Sequence, residues 1–332
     1  MLKKIYLKKI LISISALFAL FLIYFVPTDN INKLEKVKEE LIYVDTDIST
    51  NDIYLIDSYN MVSLTNIMVS GEDTLSNAKE LIETLISGGV NEDRIPSGFK
   101  SIIPSDTKIL SINFENNIIK IDFSSELLNV DISMEEKVIE SIVYTLTSID
   151  NVDGVIIYVD GNILNKLPKT KKNLPSTLDR SFGINKEYDI TSSKNITSVT
   201  TYFINKNDND YYYVPVTKYI NDDREKITIV IEELGSTPIY NTNLMSFLNS
   251  NVKLISVEQT EDTLNLNFNE YIFNNFDSKE ILEEVIYTIC LSINDNYDVK
   301  QVVFNVNNEE IYKSVLKSMS ITLENVSKKI KH

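Results

Sequence analysis

One pattern of apolar runs occurs twice in this chain, at a separation of about 145 residues, and a period that long requires two domains rather than solenoid turns. The first copy opens with Lys108-Ile109-Leu110-Ser111-Ile112-Asn113-Phe114, passes Glu115-Asn116-Asn117 and continues as Ile118-Ile119-Lys120-Ile121-Asp122-Phe123. Two alternating runs around a short Asn-rich turn predict a β-hairpin. Val138, Ile142, Leu146 and Ile149 then recur at helical spacing behind Ser133, which is placed to cap the helix with Glu136 in the reciprocal position. Gly154 to Asn162 reads as a strand entering a turn. The second copy runs Lys253 to Val257, Leu264 to Phe268, Leu282 to Ile289 and Gln301 to Asn308, with Val143-Tyr144-Thr145-Leu146 matched by Ile286-Tyr287-Thr288-Ile289.

Each copy has further elements in front. Ile53 to Asp57 and Val62 to Val69 predict strands. Thr74 to Ile86 predicts a helix with Leu75, Ala78, Leu81, Ile82 and Leu85 on one face, stopped by Gly88-Gly89. That glycine pair has no preceding strand and no following Lys-Ser/Thr, so it is no phosphate loop. In the second copy Thr201 to Ile204 and Tyr211 to Val216 predict strands, and a helix carries Ile227, Val230, Ile231 and Leu234. Alternation along a strand splits Tyr211-Tyr212-Tyr213 between two faces, which argues against one aromatic platform. Glu310 to Lys331 is expected to be a terminal helix with Ile311, Val315 and Leu316 inward. The expected class is α+β, as two tandem domains of β-α-β-β-α-β order spanning 51–180 and 199–332, joined by a linker at 181–198.

The N-terminus constrains location. Lys3, Lys4, Lys8 and Lys9 precede an uncharged, mostly apolar run from Ile10 to Val26. Residues 1–9 are expected to be a cytoplasmic tail, 10–26 a transmembrane anchor and 27–50 a juxtamembrane helix and linker, which places the domains outside the cytoplasmic membrane. A cleaved signal peptide is the competing reading and gives the same compartment. The anchor is preferred because Pro27-Thr28-Asp29-Asn30 offers no small-x-small cleavage site.

Charge and side-chain inventory remove several functions. Setting aside the four N-terminal lysines leaves 28 basic against 48 acidic side chains, a net charge of −20, which repels phosphate backbones and argues against nucleic-acid binding. The chain has one Cys and one His. Cys290 lies in the apolar register of a helix, where an inert buried thiol is expected, and His332 is the last residue. Histidine-based triads and Cys/His zinc sites are thereby excluded. Carboxylates remain, and Asp122 with Glu126 is the candidate catalytic pair of a wall hydrolase. The second copy has Asn267 and Tyr271 at those places and Asn307 in place of Asp160. Asp122 also alternates with Ile121 and Phe123 as an outward strand residue does, so no catalytic, cofactor or metal residue is assigned. Lys166, Lys169, Lys171 and Lys172 form a basic 166–172 loop that reads either as a solvated loop or as a docking patch.

The segments Ile103 to Ile112 (IPSDTKILSI), Ile119 to Leu127 (IKIDFSSEL), Ser141 to Thr147 (SIVYTLT) and Val159 to Gly161 (VDG), with Pro175 and Arg180 after the last strand, resemble the sporulation and germination domain of the GerM family. The resemblance covers Ile53 to Arg180 closely and Thr201 to Ser314 more loosely. It implies tandem domains behind a membrane attachment, although no Cys stands where a lipid would be attached. It also implies a fold similar to the ring-building modules of secretion systems and of the channel between mother cell and forespore. The implied role is in assembling the spore envelope, including cortex and germination competence, with no enzymatic activity and no cofactor. The implied partners are other sporulation envelope or channel proteins, or further copies of the chain, in the intermembrane space.

Overall fold

The computed structural model describes residues 50–208, 210–236 and 243–316. The expected tail and membrane span, most of the juxtamembrane segment, and residues 317–332 lie outside these. Among the described residues no helix is long and apolar enough to cross a membrane.

The first repeat comprises β1 (Thr50–Asp57), β2 (Val62–Met68), α1 (Thr74–Leu85), the short β3 (Phe99–Lys100), β4 (Ile109–Glu115), β5 (Ile118–Phe123), α2 (Glu135–Leu146), β6 (Gly154–Val159) and β7 (Asn162–Ile163). The connection between repeats holds β8 (Glu187–Asp189). The second repeat comprises β9 (Thr197–Asn207), β10 (Asp210–Ile220), α3 (Lys226–Gly235), β11 (Leu254–Thr260), β12 (Thr263–Phe268), α4 (Glu283–Asn296), β13 (Gln301–Val306) and β14 (Glu309–Val315). The expected β-α-β-β-α-β order is therefore present in each repeat, extended by a strand at each end.

Each repeat owns a four-stranded sheet, β4-β5-β6-β7 in the first and β11-β12-β13-β14 in the second. Both are antiparallel, then parallel, then antiparallel, with the long helix making the parallel crossover. Both carry a bulge at the same point, between Ile109 and Ser111 and between Leu254 and Ser256. Period-2 patterning decides which face is buried: Ile119, Ile121 and Phe123 point inward from β5, while Lys120 and Asp122 stay half-exposed on the other side.

The leading hairpins do something different. β1-β2 and β9-β10 join edge to edge through β2 and β10, where Leu64 pairs with Tyr213, and β8 runs parallel to the far end of β10. The two repeats thus share a central sheet and form one compact body. The core of the first repeat, built on Ile53, Leu55, Leu81, Ile121, Phe123 and Ile142, also takes in Tyr202 and Leu291 of the second.

Three local expectations are corrected. Residues Glu309–Val315 form a strand, not the start of a helix. Asn307 and Asn308, at φ 52° and 67°, make the tight reversal that lays β14 against the open edge of β13. Helix α2 starts at Glu135 with Met134 at its cap and no side-chain cap bond, so the Ser133 capping box does not form. Glu136 instead binds Lys172 and Lys186. Residues 181–198 are no plain linker. The Thr217 N–H donates to the Ile184 carbonyl and the Ile184 N–H donates to the Thr217 hydroxyl, Ile184 is fully buried, and β8 joins the sheet.

Candidate functional site at the junction of the repeats

The carboxylates singled out from sequence have separate partners, Asp122 holding a turn from strand β5 and Glu126 lying in a turn of its own. Both Asp122 oxygens accept the Gly161 N–H at 3.1 Å, clamping the β6-β7 turn. Asn267 does the same job in the second repeat, accepting the Asn308 N–H at 3.0 Å and donating to the Asn308 side chain at 2.9 Å. Asp160 sits at φ 48° in that turn, the conformation Asn307 adopts in the other copy. Glu126 lies in the 3₁₀ turn Ser125–Leu128, where the Ser124 hydroxyl holds its carboxyl below the usual range. Asp122 lines a shallow depression of about 260 Å³ on the outer sheet face, together with Ser111, Asn113, Lys120 and Tyr158.

Cys290 is fully buried, and burial pushes its thiol up to about 12, so it carries no thiolate at neutral pH. Among the described residues no group of three or more His, Cys, Asp or Glu is placed to hold a metal.

The basic loop is folded back on the first turn of α2. Glu135 accepts the N–H groups of Lys169 and Thr170, both at 2.7 Å, and the Thr170 hydroxyl. Burial pushes the Glu135 carboxyl up, but these donors outweigh it and hold it below its ordinary value. Lys172 pairs with Glu136, and Lys169 and Lys171 donate to the carbonyls of Val130 and Pro168. Lys166, Lys169 and Lys171 stay exposed and Lys172 half-buried, so the loop is tethered to α2 by these contacts while its charged ends face solvent, as the solvated-loop reading expects.

The densest polar construction lies where the repeats meet. Tyr54 and Tyr202 occupy equivalent strand positions, 148 residues apart, and their hydroxyls touch at 2.9 Å. Arg180 enters from the connection after the first repeat. Its guanidinium pairs with Asp295 of α4, packs over the rings of Tyr54 and Tyr144 at 5.6 and 4.8 Å, and donates to the Tyr144 carbonyl. The Tyr202 hydroxyl donates to the other Asp295 oxygen at 2.9 Å. Asp295 has no exposed side-chain surface. Burial lifts its carboxyl above the ordinary range against the pull of Arg180 and the Tyr202 hydroxyl. Desolvation opposes charge on Arg180 too, yet Asp295 holds it charged well above its usual value.

Asn185 ties the same junction from the other side. Its side chain accepts the Val62 N–H at 3.0 Å and donates to the carbonyls of Val62 and Pro215 at 2.7 and 2.8 Å. Its N–H donates to Glu140 of α2, whose other oxygen pairs with Lys186 at 3.2 Å. One residue thus stitches β2, β10 and α2, at a φ of 46° that Asn tolerates better than most.

A stripe of small hydroxyl residues completes the construction. Ser141 and Thr145 on α2 and Ser148 just past its end recur at i, i+4 and i+7, and all three bond the backbone of β1. Ser141 donates to the Tyr54 carbonyl at 2.5 Å, Tyr54 N–H donates to Thr145 at 3.0 Å, and Ser148 donates to the Asp52 carbonyl at 2.9 Å. Thr288, Ser292 and Asp295 are the equivalents on α4, with Ser292 accepting the Tyr202 N–H of β9 at 2.9 Å as Thr145 accepts that of Tyr54; the structure thus shifts the match of Tyr144-Thr145 to Tyr287-Thr288 read from sequence by one helical turn. Sequence reasoning found Arg180 only through the family resemblance and missed Asn185 and Asp295. The spacing of small hydroxyl residues along the buried sides of the two long helices was a visible signal for the last.

The profile of the Germane family, described as sporulation and spore germination, matches residues 52–165 and 200–312. Spore germination protein GerM of Bacillus subtilis is 32% identical over 285 residues, 83% of this chain and 76% of that protein. The solved structure of the tandem GerMN domains of the sporulation protein GerM from Bacillus subtilis superposes with a TM-score of 0.72 at 29% identity, covering 79% of this chain and 92% of that one.

Proposed function

Since the chain belongs to the Germane family of sporulation and spore germination proteins, we propose that it serves endospore formation as a non-enzymatic scaffold or adaptor, working through protein contacts. The observation that carries this reading is the junction: two copies of one fold are locked into a single body by Arg180, Asp295 and Asn185, as a part that presents surfaces at fixed separation requires. The acids that a hydrolase would need are engaged in turns, and one copy does without them. In this reading Ile10 to Val26 anchors the protein in the cytoplasmic membrane with the repeats outside it, in the intermembrane space during sporulation. The partners are sporulation envelope or channel proteins or further copies of the chain, meeting ring-building-type faces.

Sporulation complementation tests it. The double variant Asp122→Asn/Glu126→Gln is expected to support normal yields of heat-resistant, germinating spores, and cross-linking in sporulating cells is expected to capture discrete protein partners. Loss of spores with the double variant folded and anchored would instead establish the carboxylate-dependent wall hydrolase.

A further inference from the structure

We propose that Asp52 is a proton-operated latch on the repeat junction. With its carboxyl protonated, β1 seats in a cluster of zero net charge, and loss of the proton leaves an extra negative charge inside the junction and loosens the N-terminal half of β1.

Asp52 is 5% exposed. One carboxyl oxygen accepts the cross-strand Asn66 amide at 2.5 Å, and the other is buried with no hydrogen-bond partner among the described residues. An ionised carboxylate in that position is under-solvated, whereas a protonated one removes the charge that needs solvating. The surrounding groups come from every packed element: Asn66 from β2, the Ser148 hydroxyl on the Asp52 carbonyl from the end of α2, the Arg180 guanidinium from the connection, the Asp295 carboxylate from α4 and the Tyr54 hydroxyl from β1 itself. Arg180 is already matched by Asp295, so ionised Asp52 brings this group of three to −1 and its protonated form brings it to zero.

The second repeat supplies an internal control. Thr200 replaces Asp52 there, uncharged and satisfied, with its N–H and carbonyl paired to Asn296 at 3.2 and 2.7 Å and its hydroxyl to Thr217 at 2.9 Å. Only the first corner can respond to pH. Burial pushes the Asp52 carboxyl up to about 7, with Asp295 adding to the rise and Arg180 and Asn66 opposing it. Its folded value thus lies above its unfolded one, so the contribution to stability is complete below about pH 4. It falls as pH rises toward 7 and is level beyond. The local change, in which folded Asp52 itself ionises, is centred near 7.

The test uses the full-length chain in detergent micelles. A carbon-13 NMR titration of the Asp52 carboxyl is expected to show a midpoint within one unit of 7. The folded-to-unfolded ratio of the wild type should fall about 100-fold more than that of Asp52→Asn between pH 5 and pH 8. Corrected amide exchange at Ile53 should quicken above pH 7 in the wild type alone. A midpoint below 5, or equal pH slopes in the two proteins, overturns the proposal. If Asp52→Asn does not fold, the wild-type midpoint and exchange decide it.

Discussion

The two repeats share an element order, a bulge in the first strand of the private sheet, a turn clamp and a hydroxyl stripe, and they differ in charge. Asp122 of the first becomes Asn267 in the second with the same turn-clamping hydrogen bond, and Asp160 becomes Asn307 with the same left-handed backbone. Going the other way, the Ser148 position gains a carboxylate as Asp295, while beside it the carboxylate of Asp52 is lost as Thr200. Positions that hold the fold tolerate loss of charge because geometry is what they supply. Charge differs with consequence only around the junction, where Asp295 of one repeat meets Arg180 from beyond the other.

The most damaging way to break that comparison is to remove one partner of the buried pair. Arg180→Met leaves Asp295 uncompensated and is expected to cost about 3–5 kcal/mol in urea unfolding. Adding Asp295→Leu should recover much of that loss. Asn185→Ala strips partners from the N–H and carbonyl of Val62 and from the Pro215 carbonyl, for a loss of about 3 kcal/mol. Gly183→Ala should cost about 1–3 kcal/mol, because φ is 77° and a Cβ there would stand 2.9 Å from the Tyr219 hydroxyl. The smallest effect belongs to Asp122→Asn, which reproduces the second repeat in the first and is expected to change stability by less than about 0.5 kcal/mol. A large loss there would mean that the two clamps are not equivalent.

Much of each repeat was legible because periodicity reports what a strand or helix buries. The α2 face of Val138, Ile142 and Leu146 and the β5 alternation of Ile119, Ile121 and Phe123 appear as read. β14 was misread because Ile311, Val315 and Leu316 also fit helical spacing. The deciding signal was the Asn307-Asn308 turn, the same chemistry as Asn116-Asn117 in the β4-β5 hairpin. The junction was opaque for another reason. Asn185, Arg180 and Asp295 act on residues from about 20 to more than 120 positions away, and a local window carries no trace of such pairings. Nor does composition show that a Lys-rich stretch will wrap the start of a helix whose first residues are Glu135 and Glu136.

The hydroxyl stripes carry a consequence for assembly. Ser141 and Thr145 occupy the N–H and carbonyl of Tyr54 on one flank of the shared sheet, while Ser292 and Asn296 occupy those of Tyr202 and Thr200 on the other. A strand arriving from a neighbouring molecule finds these groups taken, and would have to pry α2 or α4 off its own sheet before it could dock. The stretches of the shared sheet around Tyr54 and Tyr202 are thereby insulated against fibre-like growth, and strand addition is left to the sheet edges that neither helix covers.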